Sequence, residues 1–189
     1  MGLRHAVLAA LLDRELSGYQ LTKLFDVGVA DFWYAVPQQL YTELTRSERD
    51  GLISGREVIQ HGRPNKRMYR ITDPGLDELA AFAERPSKPQ FLRDDLLVKV
   101  YAAEAADSAA VLAQLAERVE QARAKIALLD QVLARIRGDQ DEQRFLATAP
   151  RVGPYLTCHR GRLFEQEHLT WCEWAADVLR GRADSHAGG

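Results

Sequence analysis

The feature that most constrains this chain is an apolar stripe in its second half. Leu112, Leu115, Val119, Ala122, Ile126, Leu129, Leu133 and Ile136 recur at alternating steps of three and four. That is the a/d period of a helix that must lay one seam against another helix. A helix from Leu112 to Ile136 is about 37 Å long at 1.5 Å per residue, and it cannot leave such a seam in water. Either a second helix of the same chain covers it or a second copy does, and periodicity alone weighs the two equally.

The first half has a different grammar. Leu3, Val7, Leu8, Leu11 and Leu12 keep helical spacing, and Ser17 stands at an N-cap position ahead of Tyr19, Leu21, Leu24 and Phe25. After Gly28 and the aromatic run Asp31-Phe32-Trp33-Tyr34, Pro37 opens a third helix where a missing N–H costs nothing, and Asp50-Gly51 closes it. Its inward face is Leu40, Leu44 and Ser47. Two short stretches follow, Glu57 to Gln60 and Arg67 to Thr72, rich in β-branched and aromatic residues and separated by Gly and Pro; they predict a β-hairpin. A fourth helix is expected from Asp73 to about Glu84 at the Thr72-Asp73-Pro74 signal.

Charge is informative here by its placement. The whole chain carries a net charge of −2, yet Arg63, Lys66, Arg67 and Arg70 follow one another at the hairpin without an acid between them. Projected from a hairpin tip, such a patch suits a polyanion backbone. Three helices followed by a hairpin with a cationic tip is the order of a winged helix-turn-helix, in which the third helix enters the major groove and the hairpin reaches flanking phosphates. The expected reading residues on the third helix are Pro37, Gln38, Gln39, Tyr41, Thr42, Thr45 and Arg46, because Gln, Thr and Arg read base edges or hold phosphates. On the wing they are Arg63, Asn65, Lys66 and Arg67.

The run Leu16-Ser17-Gly18-Tyr19-Gln20-Leu21, then Phe32-Trp33, Pro37-Gln38-Gln39-Leu40-Tyr41, Asp50-Gly51-Leu52-Ile53, and Gly62-Arg63-Pro64 through Tyr69-Arg70-Ile71-Thr72, resembles the PadR family of transcriptional regulators in order and spacing. The second half is similar to that family's longer members, whose helical dimerisation region ends in a helix bearing Gly, Glu and Trp, here Gly161, Glu165, Trp171 and Trp174. Two positions depart from the pattern. Glu15 stands where the family has Pro before the Gly-Tyr pair, and Ser47 stands where the third helix carries a core Leu. A buried hydroxyl needs a partner, so a locally loose core is expected at Ser47. The leading expectation is a dimeric DNA-binding repressor released by a ligand, and the resemblance implies small aromatic or lipophilic effectors in some members.

The expected architecture is therefore mostly α with a two-stranded β-hairpin: a winged helix-turn-helix DNA-binding domain over residues 1–85, then a helical, coiled-coil dimerisation and effector domain over 91–182. The linker Arg85-Pro86-Ser87-Lys88-Pro89-Gln90 separates them, and helices are expected at Phe91–Ala106 and Arg151–Arg182. Residues Asp139–Ala149 give no clear signal, and Ser185–Gly189 are expected to be disordered. With a DNA reader upstream, the stripe from Leu112 to Ile136 is assigned to a homodimer seam. A two-fold dimer sets two recognition helices about 34 to 36 Å apart, one turn of a near-palindromic operator. Phe32, Trp33, Tyr34, Phe91, Trp171 and Trp174 are the candidate effector pocket, a cavity between the domains.

Other classes have less to stand on. Glu165, His168 and Cys172 share a helical face, with Cys158-His159 two turns earlier, which raises a metal or thiol sensor as an alternative. No phosphate-binding or dinucleotide glycine pattern appears, and neither cysteine has a base and an orienting group beside it, so no enzyme, cofactor or metal is expected. A protein-interaction module with an acidic partner is the other alternative. No signal-peptide pattern or membrane-length apolar run occurs, so the expected location is cytoplasmic, without membrane association.

Overall fold

The computed structural model describes residues 2–26, 33, 35–60, 62, 65–87, 93–105 and 108–187, with side chains described up to 182. The chain divides into two units, Met1–Pro89 and Gln90–Gly189.

In the first unit, α1 (Gly2–Ala10), α2 (Gly18–Leu24) and α3 (Pro37–Arg49) precede β2 (Ile53–Val58), β3 (Lys66–Ile71) and α4 (Asp73–Ala83). The sheet has one strand more than the hairpin. A two-residue β1 (Leu16–Ser17) pairs with the outer side of β3 through Leu16↔Tyr69 and Ser17↔Met68, giving the order β1-β3-β2. The hairpin also starts earlier than composition suggests. β2 begins at Ile53, opposite Ile71, and ends at Val58, opposite Lys66, so Ile59 and Gln60 lie beyond the ladder.

α3 stops where its sequence says it should. Gly51 takes φ of 73°, a left-handed turn that a side chain disfavours, and Leu52 N–H donates to Ser47 O at 2.9 Å to close the last turn. The core then assembles from Val7, Leu8 and Leu11 of α1, Leu16, Leu21, Phe25, Leu40, Leu44, Leu52, Ile53 and Tyr69. Each fully buried Leu or Val contributes about 1.5 to 3 kcal/mol, and those residues hold α3 at a fixed attitude on α1, α2 and the sheet.

The second unit contains α5 (Asp95–Tyr101), a 3-10 turn (Ala103–Ala105), α6 (Ser108–Arg137), α7 (Glu142–Thr148) and α8 (Gly153–Ala187). α5 is shorter than the expected helix because Asp94 caps it, accepting from Leu96 N–H at 2.9 Å. α7 fills the stretch that gave no signal, with Asp141 as its cap and Phe145 as its buried residue. α8 runs through Ser185 to Ala187, which composition had marked as a disordered tail.

α6 and α8 pair antiparallel. Val111, Leu115 and Val119 pack with Cys172, Ala175 and Ala176 at one end, and Leu129 and Leu133 pack with Tyr155 and Cys158 at the other. Ion pairs Arg123–Glu173 at 2.7 Å and Asp130–Arg162 at 2.8 Å follow the same register. The stripe expected at an intersubunit seam is thus covered in large part by α8 of the same chain. Leu115 and Leu129 have no exposed surface and Ala122 has 1%, all within a single chain, so these side chains have nothing left to offer a second copy. Val119 and Leu133 are buried beside them, and Leu112 and Ile136 pack partly buried against the same clusters, while Ile126 is half-buried.

α8 itself is more exposed than its composition implied. Tyr155 is buried, yet Leu156, Leu163, Trp174 and Val178 are 52%, 51%, 62% and 43% exposed. Among the described residues no helix is long and apolar enough to cross a membrane.

Candidate nucleic-acid interface

α2 and α3 are set against each other by small local devices. Ser17 and Gln20 form a capping box at the start of α2: Gln20 N–H donates to Ser17 Oγ at 3.2 Å and Ser17 N–H to Gln20 Oε1 at 2.9 Å. Glycine at the next position lets the two helices meet closely, because a Cβ on Gly18 would sit 2.4 Å from the Tyr41 ring of α3 and push it aside. Tyr41 is thus half seated on α2 and half exposed, an arrangement that fixes its ring.

The turn of α3 separates two faces cleanly. Leu40, Glu43, Leu44 and Ser47 are buried, while Pro37, Gln38, Gln39, Tyr41, Thr42, Thr45 and Arg46 are exposed together with Arg49. Every residue expected to read DNA from this helix therefore lies on one solvent face. The hydrogen bonds refine what each can do. Gln39 Oε1 accepts from Val36 N–H at 3.2 Å and caps the helix, leaving its NH₂ to donate. Thr42 and Thr45 donate their hydroxyls back to Gln38 O at 2.8 Å and Tyr41 O at 3.1 Å. Each then offers an oxygen lone pair and a methyl, groups suited to a cytosine amine or a thymine methyl rather than to phosphate.

Behind that face lies a buried polar cluster that composition did not announce. Ser47 is fully buried and donates to Glu43 Oε1 at 3.2 Å; the same oxygen accepts from Arg4 Nε at 3.1 Å. Arg4 also reaches Asp50 at 2.6 Å, and Arg46 lies 3.8 Å from Glu43 Oε2. The expectation of a loose core at Ser47 is corrected: the hydroxyl is satisfied by a carboxylate that α1 supplies with a cation. Desolvation works against both charges. Hydrogen bonds still hold the Arg4 pKa above its ordinary value through Glu43 and Asp50, and that of Asp50 below its own through Arg49 and Arg4.

The wing is less of a bare cationic tip than the sequence suggested. Arg63 and Pro64 lie outside the described residues. Asn65 is exposed and accepts from Gln60 N–H at 3.3 Å while donating to Glu57 at 3.1 Å, so it closes the loop. Arg67 donates to Glu48 at 2.5 Å, and Arg56 to Glu15 at 2.5 Å. The hydrogen bonds raise the pKa of both arginines, and Arg56 likewise keeps Glu15 below the usual carboxylate range. Lys66 and Arg70 have no ion pair among the described residues.

The aromatic set is scattered among its surroundings. Phe32, Tyr34 and Phe91 lie outside the described residues. The Trp33 indole lies directly over Gly2, where a Cβ would fall 1.8 Å from it. On α8, Trp171 and the exposed Trp174 border a shallow open concavity with Gln166, Glu167 and Thr170. The Glu, His and Cys face is occupied by packing: Cys172 is fully buried with its pKa pushed up by that burial, His168 Nδ1 lies 3.2 Å from Phe164 O, and Cys158 donates to Leu129 O at 3.8 Å. Among the described residues no group of three or more His, Cys, Asp and Glu is placed to hold a metal ion.

Comparison with known proteins agrees with this geometry. Residues 7–81 match the Transcriptional regulator PadR-like family and residues 92–180 the family described as Virulence activator alpha C-term. A probable transcriptional regulator of Mycobacterium tuberculosis is 37% identical over 95% of this chain and 98% of its own length. The negative transcriptional regulator PadR of Bacillus subtilis is 27% identical over 90% of this chain and 93% of its own length. The crystal structure of Bacillus subtilis PadR in complex with operator DNA superposes with a TM-score of 0.78 at 26% identity, covering 95% of this chain and 99% of that one. With such a relative matched nearly end to end, the chain belongs to the PadR-like family of transcriptional regulators.

Proposed function

We propose that the protein is a homodimeric repressor that binds a near-palindromic operator through α3 and the wing and is released by a small aromatic or lipophilic effector. The observation that carries the reading is the α3 face: Gln38, Gln39, Thr42, Thr45 and Arg46 are all exposed on a helix whose other side is locked into a core. A polar, acid-free face on a rigid helix is what direct readout of base edges needs. Lys66 and Arg70 beside it supply phosphate contacts. The Bacillus subtilis relative PadR, a negative regulator solved in complex with operator DNA, supports the sign and the partner.

The dimer contact belongs on α8. Leu156, Leu163, Trp174 and Val178 fall on one exposed arc at 100° per residue, away from the face that packs on α6. Four large apolar residues in one line form a seam that a second α8 can cover. Trp171, beside that seam, is the aromatic we assign to an effector, with Trp174 of the seam itself bordering the same concavity. Titration of the protein into fluorescent DNA taken from upstream of its own gene, against a random duplex of equal length, tests the central claim. Specific binding is expected at least a thousandfold tighter than random binding, at about the lower limit for sequence readers; equal affinity for both duplexes rejects it.

A further inference from the structure

The face that reads DNA and the wing that flanks it must keep one geometry, and one carboxylate joins them. Glu48 stands in the last turn of α3. Its Oε1 accepts from Gly55 N–H of β2 at 2.9 Å and from Arg67 Nη2 of β3 at 2.5 Å. Gly55 makes the arrangement possible, since a Cβ there would lie 2.5 Å from both Arg67 Nε and Glu48 Oε1. Among the described residues no other side-chain hydrogen bond or ion pair joins α3 to β2 and β3.

We infer that Glu48 is a positioning residue for operator recognition, fixing the wing's angle on the recognition helix and so setting specificity with a side chain of the wrong sign to touch DNA. The lever is long. Val58 at the end of β2 is five steps from Ile53, about 17 Å at 3.3 Å per residue, so a tilt of roughly 5° moves the far end of the strand by about 1.4 Å. That displacement takes a phosphate hydrogen bond out of range. Arg67 then acts as a strut whose charge is largely committed to Glu48, while Lys66 remains available to phosphate.

The inference rests on the DNA-binding reading, and charge alone predicts the opposite outcome. Deleting an acid beside a polyanion raises affinity for every duplex; loosening the wing lowers the preference for the operator. Glu48→Ala, Glu48→Gln, Arg67→Ala and the Glu48→Ala/Arg67→Ala double variant are compared by fluorescence anisotropy on the upstream duplex and on random DNA, at two salt concentrations, after melts confirm folding. Each alanine variant is expected to lower the operator-to-random ratio by about tenfold, and the double variant no further, because the two side chains act as one unit. Glu48→Gln keeps an acceptor for Gly55 N–H and is expected to fall between. Should Glu48→Ala not fold, Glu48→Gln and Arg67→Ala carry the comparison. A ratio unchanged while both affinities rise overturns the inference, as do additive losses in the double variant. Wild-type protein that does not distinguish the two duplexes overturns the DNA-binding reading with it.

Discussion

Ser47 offers the sharpest test of how the recognition helix is held, because two arguments about it point in opposite directions. From sequence, a serine in a slot that carries leucine in similar proteins looks like a gap, and Ser47→Leu should fill it. In the structure the slot is fully buried and the hydroxyl donates to Glu43 at 3.2 Å, with Glu43 itself only 8% exposed. Leucine would add about 2 kcal/mol of apolar burial. Against that stand an overpacking cost of about 1 to 3 kcal/mol and the loss of a hydrogen bond to a charged acceptor, about 1 to 2 kcal/mol once Arg4 is credited with keeping Glu43 paired. Hydrocarbon pressed against the carboxylate adds to the deficit. These figures net to between about 0 and 3 kcal/mol, and the carboxylate contact shifts the balance upward, so the expectation is a destabilisation of about 1 to 3 kcal/mol, a fall of roughly 4 to 24 °C in Tm for a unit of this size. Ser47→Ala separates the contributions, since it removes the hydroxyl without adding volume, and should lose about 1 to 2 kcal/mol. Thermal and urea melts followed by circular dichroism measure both. A Ser47→Leu variant that melts above wild type would falsify the claim that this hydroxyl and carboxylate act together.

Leu163→Asp with Trp174→Asp should yield a folded monomer with little change in melting, whereas Leu129→Ala should cost about 2 to 5 kcal/mol and leave the association state intact; sedimentation and melts of the two variants decide which seam faces which partner. Lys66→Ala should reduce the salt slope of DNA binding by about 1.8 per dimer at −0.9 per phosphate contact, and Arg67→Ala by clearly less, because Glu48 already holds that guanidinium; equal changes in slope would contradict the strut assignment. Acid should weaken the first unit. Hydrogen bonds from Arg56 to Glu15 and from His5 to Glu78, and those from Arg49 and Arg4 that outweigh desolvation at Asp50, hold these pKa values below their ordinary ones. Lowered native pKa values mean that the unfolded chain binds protons first. The stability they contribute is therefore complete above about pH 5 and drains away as pH falls through the ordinary carboxylate range near 4. Melts between pH 7 and pH 3 should fall in that window, and a flat profile there would argue against all three pairs.

What could be read from sequence was whatever is encoded locally. α3 announces itself by Pro37 at its start, Asp50-Gly51 at its end and Leu40 and Leu44 one turn apart, and its exposed face follows once the buried one is known. β1 could not be read that way. Two residues leave no alternation to detect, and their pairing with Tyr69 and Met68 is a contact across some fifty residues of chain. The same holds for Glu43 and Glu48. On a helix read for hydrophobic period they count as solvated acids, and only Arg4 from α1, Gly55 from β2 and Arg67 from β3 make them structural. The ion pairs of the wing were illegible for a related reason: a row of cations is visible in sequence, but the carboxylates that meet Arg56 and Arg67 come from elsewhere in the chain.

The apolar stripe of α6 shows where such reading stops and what extends it. A seam of period three and four states that a helix must pack, and it carries no record of which chain supplies the mate. The mate's own composition does. Cys158, Gly161, Cys172, Ala175 and Ala176 lie on one arc of α8, all buried and all small, and they let the Leu-rich edge of α6 approach closely. The large residues Leu156, Leu163, Trp174 and Val178 lie on the opposite arc. α8 thus turns its small residues, together with Tyr155, to its own chain and leaves this line of bulky apolar ones to solvent. In the homodimer proposed above, a two-fold axis running beside α8 would cover the outer line with a surface of matching period from the same sequence. Pairing through α8 in this way leaves the α6 seam intact, so association and folding of the second unit should respond to different mutations.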